Sequence, residues 1–297
     1  MLALVLGALF FAVTAALLLK FATADGDFTL VSRGPAKREE VEGKVVWITG
    51  ASRGIGEILA RQFASLGAKV ILSARNTVEL ERVQNELISK YSPSRVEVLP
   101  LDLSSGEESL KEAVQKAESL FSGAGVDYMV HNAAFERPKR KAIEETEKGL
   151  QMSSAAGKCP APGQAIYSAS KHALNGYFHT LRSELCQKGI KVTIVCPGPI
   201  ETSKVSGESS SGQSGSSEKR VSSERCAELT IVAATHGLKE AWISYQPVLL
   251  VMYLIQYMPT IGYWFMDKIG ANRLDAAERK GNTYSWKLFF GRKKKSA

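Results

Sequence analysis

The residues that most constrain this chain lie at 44–65. An apolar run, Lys44 to Thr49, leads directly into Gly50-Ala51-Ser52-Arg53-Gly54-Ile55-Gly56, and a helix-patterned stretch follows to Ser65. A strand that enters a three-glycine turn and leaves as a helix is a local design with one common use. The glycines allow tight turning and close backbone approach, and the free N–H groups at the helix start face an anionic pyrophosphate. Three glycines at this spacing are weak evidence alone. The strand–turn–helix context is what makes Gly50, Ser52, Arg53, Gly54, Ile55 and Gly56 a candidate dinucleotide turn.

The rest of the chain repeats the alternation. Strands are expected at Ala68–Ser73, Val96–Leu101, Val126–Val130 and Lys191–Cys196. Helices are expected at Leu80–Lys90, Leu110–Phe121 and from Tyr167 to about Gln187. Strands alternating with helices of ten or more residues predict βαβ units: an α/β, doubly wound parallel sheet of Rossmann type, three layers deep. At 297 residues and 44% hydrophobic content, the chain suits one large domain with appendages.

Those appendages are apolar. Met1 to Leu19 carry no charge, enough to nearly cross a hydrocarbon layer of ~30 Å as a helix. The run lacks a positive leader and is long for a cleaved secretory signal, so residues 1–20 are expected to be an N-terminal hydrophobic anchor helix. Residues 21–43 read as a polar linker and 44–246 as the dinucleotide domain. Residues 203–223 are a Ser/Gly-rich loop. The final part, 247–297, opens with an almost uncharged stretch at 247–266 that holds five aromatics and is interrupted by Pro259 and Gly262. Such a stretch suits a membrane interface or the wall of an apolar pocket. The basic tail places Lys294 and Lys295 where a cytosolic dilysine retrieval signal sits, which favours an endoplasmic reticulum membrane location.

Charge and cysteine content exclude other classes. The formal charge of +8 is not gathered into a basic stripe studded with aromatics, so nucleic acid is not an expected partner. Cys159, Cys186, Cys196 and Cys226 show neither C-x-x-C nor zinc spacing, and no metal site is expected.

The choice of nucleotide follows from charge. After the second strand, where a carboxylate would bind the ribose diol of NAD(H), the chain reads Ser73-Ala74-Arg75. Arg53 and Arg75 suit a 2′-phosphate, which favours NADP(H) over NAD(H). Asp102 follows the third strand at the expected ligand edge and can accept from an adenine amino group. Asn132 ends the fourth strand beside the nucleotide.

Tyr167 and Lys171, four residues apart, share one helix face, and Ser154 lies thirteen residues before Tyr167. A tyrosine near pKa 10 is a poor acid–base group at neutral pH, and an adjacent ammonium favours its phenolate. Ser154 can then hold a carbonyl oxygen while Tyr167 moves the proton and hydride passes to or from a nicotinamide.

TGASRGIG, HNAA, SSAAG at Ser153–Gly157, YSASK and PGPIET at Pro197–Thr202 occur in this order. In them the chain resembles the short-chain dehydrogenase/reductase family over roughly residues 43–202. Within the family it is most similar to the microsomal dehydrogenase/reductase member 7 group, related to 11-beta-hydroxysteroid dehydrogenases. That similarity rests on the N-terminal apolar run, KHALNGYFHTLRSEL, CPGPI and LKEAWISYQPVLLVMYLIQYMPT. The resemblance implies that Gly50, Gly54 and Gly56 bind the pyrophosphate and Asp102 the adenine, and that Ser154, Tyr167 and Lys171 catalyse. It further implies that Asn132 supports the sheet, Lys171 holds the nicotinamide ribose, and Pro197, Gly198 and Thr202 flank the nicotinamide. The implied substrates are lipophilic carbonyls or alcohols such as steroids, retinoids or xenobiotic ketones. A homodimer is an open possibility.

Three departures stand out. His131 and Ala134 replace the first Asn and the Gly of the family's N-N-A-G. Nineteen residues separate Ala134 from Ser154, where the resemblance leads one to expect about thirty more. What is missing is most of a helix, with the family's catalytic Asn, and the strand leading into the serine. Five or six side chains of a doubly buried strand, at ~1.5–3 kcal/mol each, amount to about 10 kcal/mol. That matches the whole net stability of a domain, ~5–15 kcal/mol. The alternative reading is therefore an isoform without turnover that keeps membrane association and cofactor binding.

Overall fold

The computed structural model describes residues 1–91, 95–133, 153–201 and 219–278. The first half is built on a parallel sheet. Strand β1 (Val45–Thr49) is buried along its whole length and pairs with β2 (Lys69–Ser73) on one side and β4 (Tyr128–Val130) on the other. Strand β3 (Val96–Val98) continues beyond β2, giving the order β3-β2-β1-β4. Between them run α3 (Gly54–Ser65), α4 (Thr77–Lys90) and α5 (Glu107–Gly123). Helix α3 has the bounds expected from the sequence.

The strand period of two explains the layers. Val46, Ile48, Val70 and Leu72 face Leu59 and Phe63 of α3 and Leu80, Val83 and Leu87 of α4. Val45, Trp47 and Ile71 face the opposite side, where they meet Ala113 and Ala117 of α5. Helices therefore cover both faces of one parallel sheet, as expected.

The second half has its own sheet. Strand β5 (Ile194–Pro197) pairs in parallel with β8 (Glu240–Ile243), and β6 (Ile200–Glu201) with β7 (Val221–Ser222). Val195, Ala241 and Ile243 pack on Leu229, Val232 and Ala233 of α7 (Ser223–Thr235). On the other face Ile194, Cys196 and Trp242 pack on α8 (Val248–Tyr257) and α9 (Pro259–Glu278). Helix α6 (Ala165–Leu185) lies against a 3-10 turn at Ala155–Gly157. The halves meet where Ala227 and Ile231 of α7 enter the core that holds α3.

The doubly wound parallel arrangement is as expected; among the described residues its strands fall into separate hydrogen-bonded groups. Among them β4 pairs only with β1 and β5 only with β8. Met129, at the centre of β4, is 37% exposed, as befits an edge strand and not a central one. Residues 134–152, where the shortened link falls, lie outside the described residues.

The appendages also differ in detail from their expectations. Helix α1 (Leu2–Thr23) is apolar and projects from the fold: its stretch Leu4–Thr23 has mean hydropathy 2.3 and no buried share. By length and composition it can cross a membrane. Residues 21–43, expected as a polar linker, are docked, because they carry apolar side chains that find a core. Leu30, in α2 (Phe28–Val31), and Val41 are buried. Asp27 accepts from Trp242 N with its carboxylate and donates its own N–H to Trp242 O. Asp25 pairs with Arg225 at 2.7 Å.

The apolar stretch at 247–266 divides at Met258 into α8 and the first turns of α9. They cross in backbone contact, since a Cβ on Gly262 would lie 2.6–2.7 Å from Ile255. Leu249, Met252 and Ile255 face the core, while Tyr257, Met258, Ile261, Tyr263 and Trp264 are exposed. Of the expected loop at 203–223, residues 203–218 lie outside the described residues, and Val221–Ser222 form β7.

Candidate active site

The nucleotide half of the site is assembled by hydrogen bonds between the ends of β1 and β4. Thr49 Oγ1 donates to Val130 O (3.2 Å) and accepts from the backbone N–H of Asn132 (3.1 Å) and Ala133 (3.2 Å). Asn132 Nδ2 donates to Thr49 O (3.1 Å) and Gly50 O (3.3 Å). Gly56 sits against the same group: a Cβ there would lie 2.2 Å from Gly50 O and 2.5 Å from Asn132 Nδ2. Gly50 and Gly54 hold φ of +67° and +60°, where side chains are strained. A turn this close, opening onto the exposed start of α3, fits a pyrophosphate, so these residues suit a dinucleotide.

A cationic brace stabilises the turn from outside. Arg82 of α4 bonds Glu57 through two nitrogens (3.0 and 3.1 Å), Glu79 (2.8 Å) and the carbonyl of Ser52 (3.3 Å). The Glu57 hydrogen bond, followed by that of Glu79, raises its pKa further still. Arg53 caps the start of α3 and is exposed, as is Arg75. Asp102 is exposed and accepts from Ser104 N (3.0 Å) and Ser104 Oγ (2.7 Å). Those hydrogen bonds, with the charge of Arg75, hold its carboxyl below the usual range. Asp102 also borders a groove of about 290 Å³ between the β3 end and α5.

The second half lies on the turn at 153–158 and α6. Ser154 caps the 3-10 turn, accepting from Ala156 N (3.2 Å), and its Oγ donates to Pro197 O (3.3 Å). Gly198 N donates to Ile243 O (2.8 Å), which fixes the loop after β5 to β8. On α6, Lys171 is 2% exposed and Tyr167 37%. Lys171 Nζ lies 5.3 Å from the centroid of the Tyr167 ring. Burial pushes the Lys171 pKa down to about 8, against a smaller opposing effect of Cys196. Tyr167 is thus open to solvent above a lysine sunk in the protein. Thr202, expected beside the nicotinamide, lies outside the described residues.

Asn175 continues the Tyr167/Lys171 face one turn further. It accepts from Ser153 Oγ and donates to Gly157 O (2.8 Å), tying α6 to the serine turn. Behind it Cys196, whose Sγ lies 3.6 Å from Ser153 Oγ, is pushed up to about 12 by burial. Arg82 and Asn175 are residues of the candidate site that the motifs alone do not single out, and Thr49, which opens TGASRGIG, gains its part from the bonds to Val130, Asn132 and Ala133. For Asn175 a signal exists: it lies four residues after Lys171, hence on the same helix face. Contact between the nucleotide half and α6 runs through His131, whose ring lies 5.6 Å from that of Phe178.

A glycine turn on a parallel sheet, joined to a tyrosine–lysine helix face beside a serine turn, defines a nucleotide-dependent dehydrogenase fold. The short chain dehydrogenase family model matches residues 44–150 and 142–213, and the chain belongs to that family. Its relatives include the human dehydrogenase/reductase SDR family member 7, 36% identical over 87% of this chain and 88% of that one. The 11-beta-hydroxysteroid dehydrogenase A of Arachis hypogaea is 37% identical over 59% of this chain and 57% of its own. The crystal structure of L-sorbose reductase from Gluconobacter frateurii, complexed with NADPH and L-sorbose, shares the fold. It has a TM-score of 0.58 and 22% identity, covering 67% of this chain and 94% of that one.

The same comparisons bear on the shortened link. The family model meets the chain as two stretches that overlap at 142–150, within the link. The human relative aligns over 298 positions yet takes up 87% of these 297 residues, which leaves about forty positions without a counterpart here.

Proposed function

We propose that this chain is a membrane-anchored, NADPH-preferring oxidoreductase that interconverts carbonyl and alcohol groups on lipophilic substrates: steroids, retinoids or xenobiotic ketones and aldehydes. The observation that carries the reading is the pairing of an accessible Tyr167 with a buried Lys171 on one face of α6. Beside them the serine turn is tied to that helix through Asn175.

A nicotinamide held beside Tyr167 would supply or accept the hydride. Ser154 orients the carbonyl oxygen through its hydroxyl. Tyr167 gives its phenolic proton to that oxygen in reduction and takes it back in oxidation. Lys171, with its pKa near 8, is still mostly an ammonium at neutral pH and favours the phenolate. Gly50, Ser52, Arg53, Gly54, Ile55 and Gly56 hold the pyrophosphate, with Asn132 fixing the turn. Asp102 takes the adenine, and Pro197, Gly198 and Thr202 take the nicotinamide. The preference for NADPH rests on Arg53 and Arg75, both exposed at the nucleotide end with no carboxylate after β2.

Association with an endoplasmic reticulum membrane is supported by the apolar, unburied α1. It is also supported by Tyr257, Met258, Ile261, Tyr263 and Trp264, exposed where α8 meets α9. A second reading, an isoform that binds nucleotide and membrane without turnover, is favoured by the exposed Met129 and the divided sheet.

Titration of the detergent-solubilised chain with NADPH and NADH, followed by nicotinamide fluorescence, separates these readings when coupled to turnover of steroid and retinoid carbonyls. Tighter NADPH binding with turnover supports the first reading, and binding alone supports the second. Tyr167→Phe is expected to abolish turnover with NADPH affinity within twofold. Undiminished turnover would remove the tyrosine from its role.

A further inference from the structure

Glu240 opens β8 opposite Ile194, and its side chain is 19% exposed. Three donors converge on its carboxylate. Oε2 accepts from Lys158 Nζ (2.7 Å) and His179 Nε2 (2.7 Å), and Oε1 accepts from Trp242 Nε1. Lys158 immediately follows the turn that begins at Ser154. His179 lies on α6, three turns beyond Tyr167. Arg182 Nη1 stands 3.0 Å from His179 Nδ1. A guanidinium only donates, so Nδ1 accepts, and the ring proton sits on Nε2, directed at Glu240. Burial alone would raise the Glu240 pKa; the hydrogen bonds of Lys158, Trp242 and His179 and the charge of Lys158 outweigh it and hold the carboxyl below its usual range.

We propose that Glu240 is a positioning residue that fixes the serine turn and α6 to one point on β8, and so sets Ser154 against Tyr167. The proposal rests on the assignment of Ser154, Tyr167 and Lys171 as the reacting set. In this chain the tether matters more than in one with a full-length link. The turn at 153–158 has no neighbouring strand before it among the described residues. Among the described residues α6 and β5 pack against it, and Lys158 ties it to β8 through Glu240. Among the described residues the other ties include those of Ser153 and Gly157 to Asn175, Ser153 to Cys196, Ser154 to Pro197, and Ala161 N to Ser168 Oγ, all between uncharged groups. Lys158–Glu240 is the charge-assisted tie among them, a class roughly twice as strong as a neutral hydrogen bond.

The test uses the full chain in detergent and the Glu240→Gln variant, which keeps the shape and removes the charge. Hydrogen exchange is expected to rise at least tenfold in peptides spanning 154–160 and 172–183, with 45–73 unchanged and NADPH affinity within twofold. His179→Gln added to Glu240→Gln is expected to change exchange less than twofold further, because both cut one link. Turnover is expected to lose at least tenfold in kcat with KM for the carbonyl within threefold, since a misplaced serine turn weakens the reaction more than substrate capture.

Lys158→Met cuts one arm only and covers a Glu240→Gln chain that does not fold. It is expected to loosen 154–160 while 172–183 stays protected. Unchanged exchange in both segments, an equal rise across 45–73, or kcat within twofold of the parent overturns the proposal. If the parent itself turns over no carbonyl, the enzymatic reading falls, and local exchange still decides whether the tether exists.

Discussion

A lysine sunk in protein should be bad for stability, and Lys171 allows the cost to be measured. It is 2% exposed, and burial moves its pKa from the ordinary 10.5 to about 8. Between those values the unfolded chain binds more protons than the folded one, so stability rises with pH across that window. Below pH 8 the whole penalty is present, about 3 kcal/mol at pH 7 from the size of the shift. Lys171→Met removes the penalty and gives up the contacts of the ammonium, of which that with the Tyr167 ring is worth about 1 kcal/mol. The expected net gain is about 2 kcal/mol at pH 7, or about 4–8 °C in Tm for a domain of this size. At pH 10 the wild-type penalty falls below about 1 kcal/mol, and the advantage disappears. Thermal unfolding of both proteins in detergent without nucleotide, at pH 7 and pH 10, checks this. A variant less stable than the parent at pH 7, or a difference that is the same at both pH values, would show that burial of Lys171 carries no such cost.

The same geometry sets three other expectations. Gly56→Ala places a methyl 2.2 Å from Gly50 O, so the turn must open; NADPH affinity is expected to fall at least tenfold by fluorescence titration. Asn132→Ala removes two hydrogen bonds to the carbonyls of Thr49 and Gly50. It is expected to cost about 1–3 kcal/mol in urea unfolding and to weaken NADPH more than it weakens substrate. Replacing exposed Tyr263 and Trp264 together by Ser in a chain lacking residues 1–23 is expected to lower its binding to vesicles at least fivefold in a flotation assay. Unchanged flotation would show that Tyr263 and Trp264 make no membrane contact.

The sequence is most informative where local rules and tertiary burial agree. β1 is an unbroken apolar run before glycine, and α3 is bounded by that turn and by Gly67, so both are legible in the residues alone. Tyr167 and Lys171 are legible because a helix period of 3.6 puts residues four apart on one face. What escapes is set by partners distant in sequence. Nothing near Glu240 announces that Lys158 and His179 will converge on it, and Arg82 reads as an ordinary helix cation until Ser52 and Glu57 come beside it. The stretch 21–43 reads as a linker because its polar residues dominate. Leu30 and Val41 anchor it nonetheless, since two well-placed apolar side chains and the Asp27 contacts with Trp242 suffice.

Among the described residues the sheet is divided, and the two halves of the site stand on different sides of the divide. In a parallel sheet, adjacent strands lie about 4.8 Å apart, and the loops at their carboxyl ends inherit that spacing. A strand omitted between β4 and β5 would therefore move Ser154 and Tyr167 by up to about 5 Å relative to the glycine turn, whereas reacting atoms must be held within about 0.5 Å. The turn itself depends on β1, β4, α3 and Asn132, all on one side of the divide. The tyrosine helix depends on β5, β8, Asn175 and Glu240, all on the other. Contact across it runs through α7 against α3 and through His131 against Phe178. Nucleotide binding and turnover are therefore expected to respond differently. Substitutions in the second half should leave the glycine turn intact, and a longer link between Ala134 and Ser153 should raise turnover more than it tightens NADPH binding.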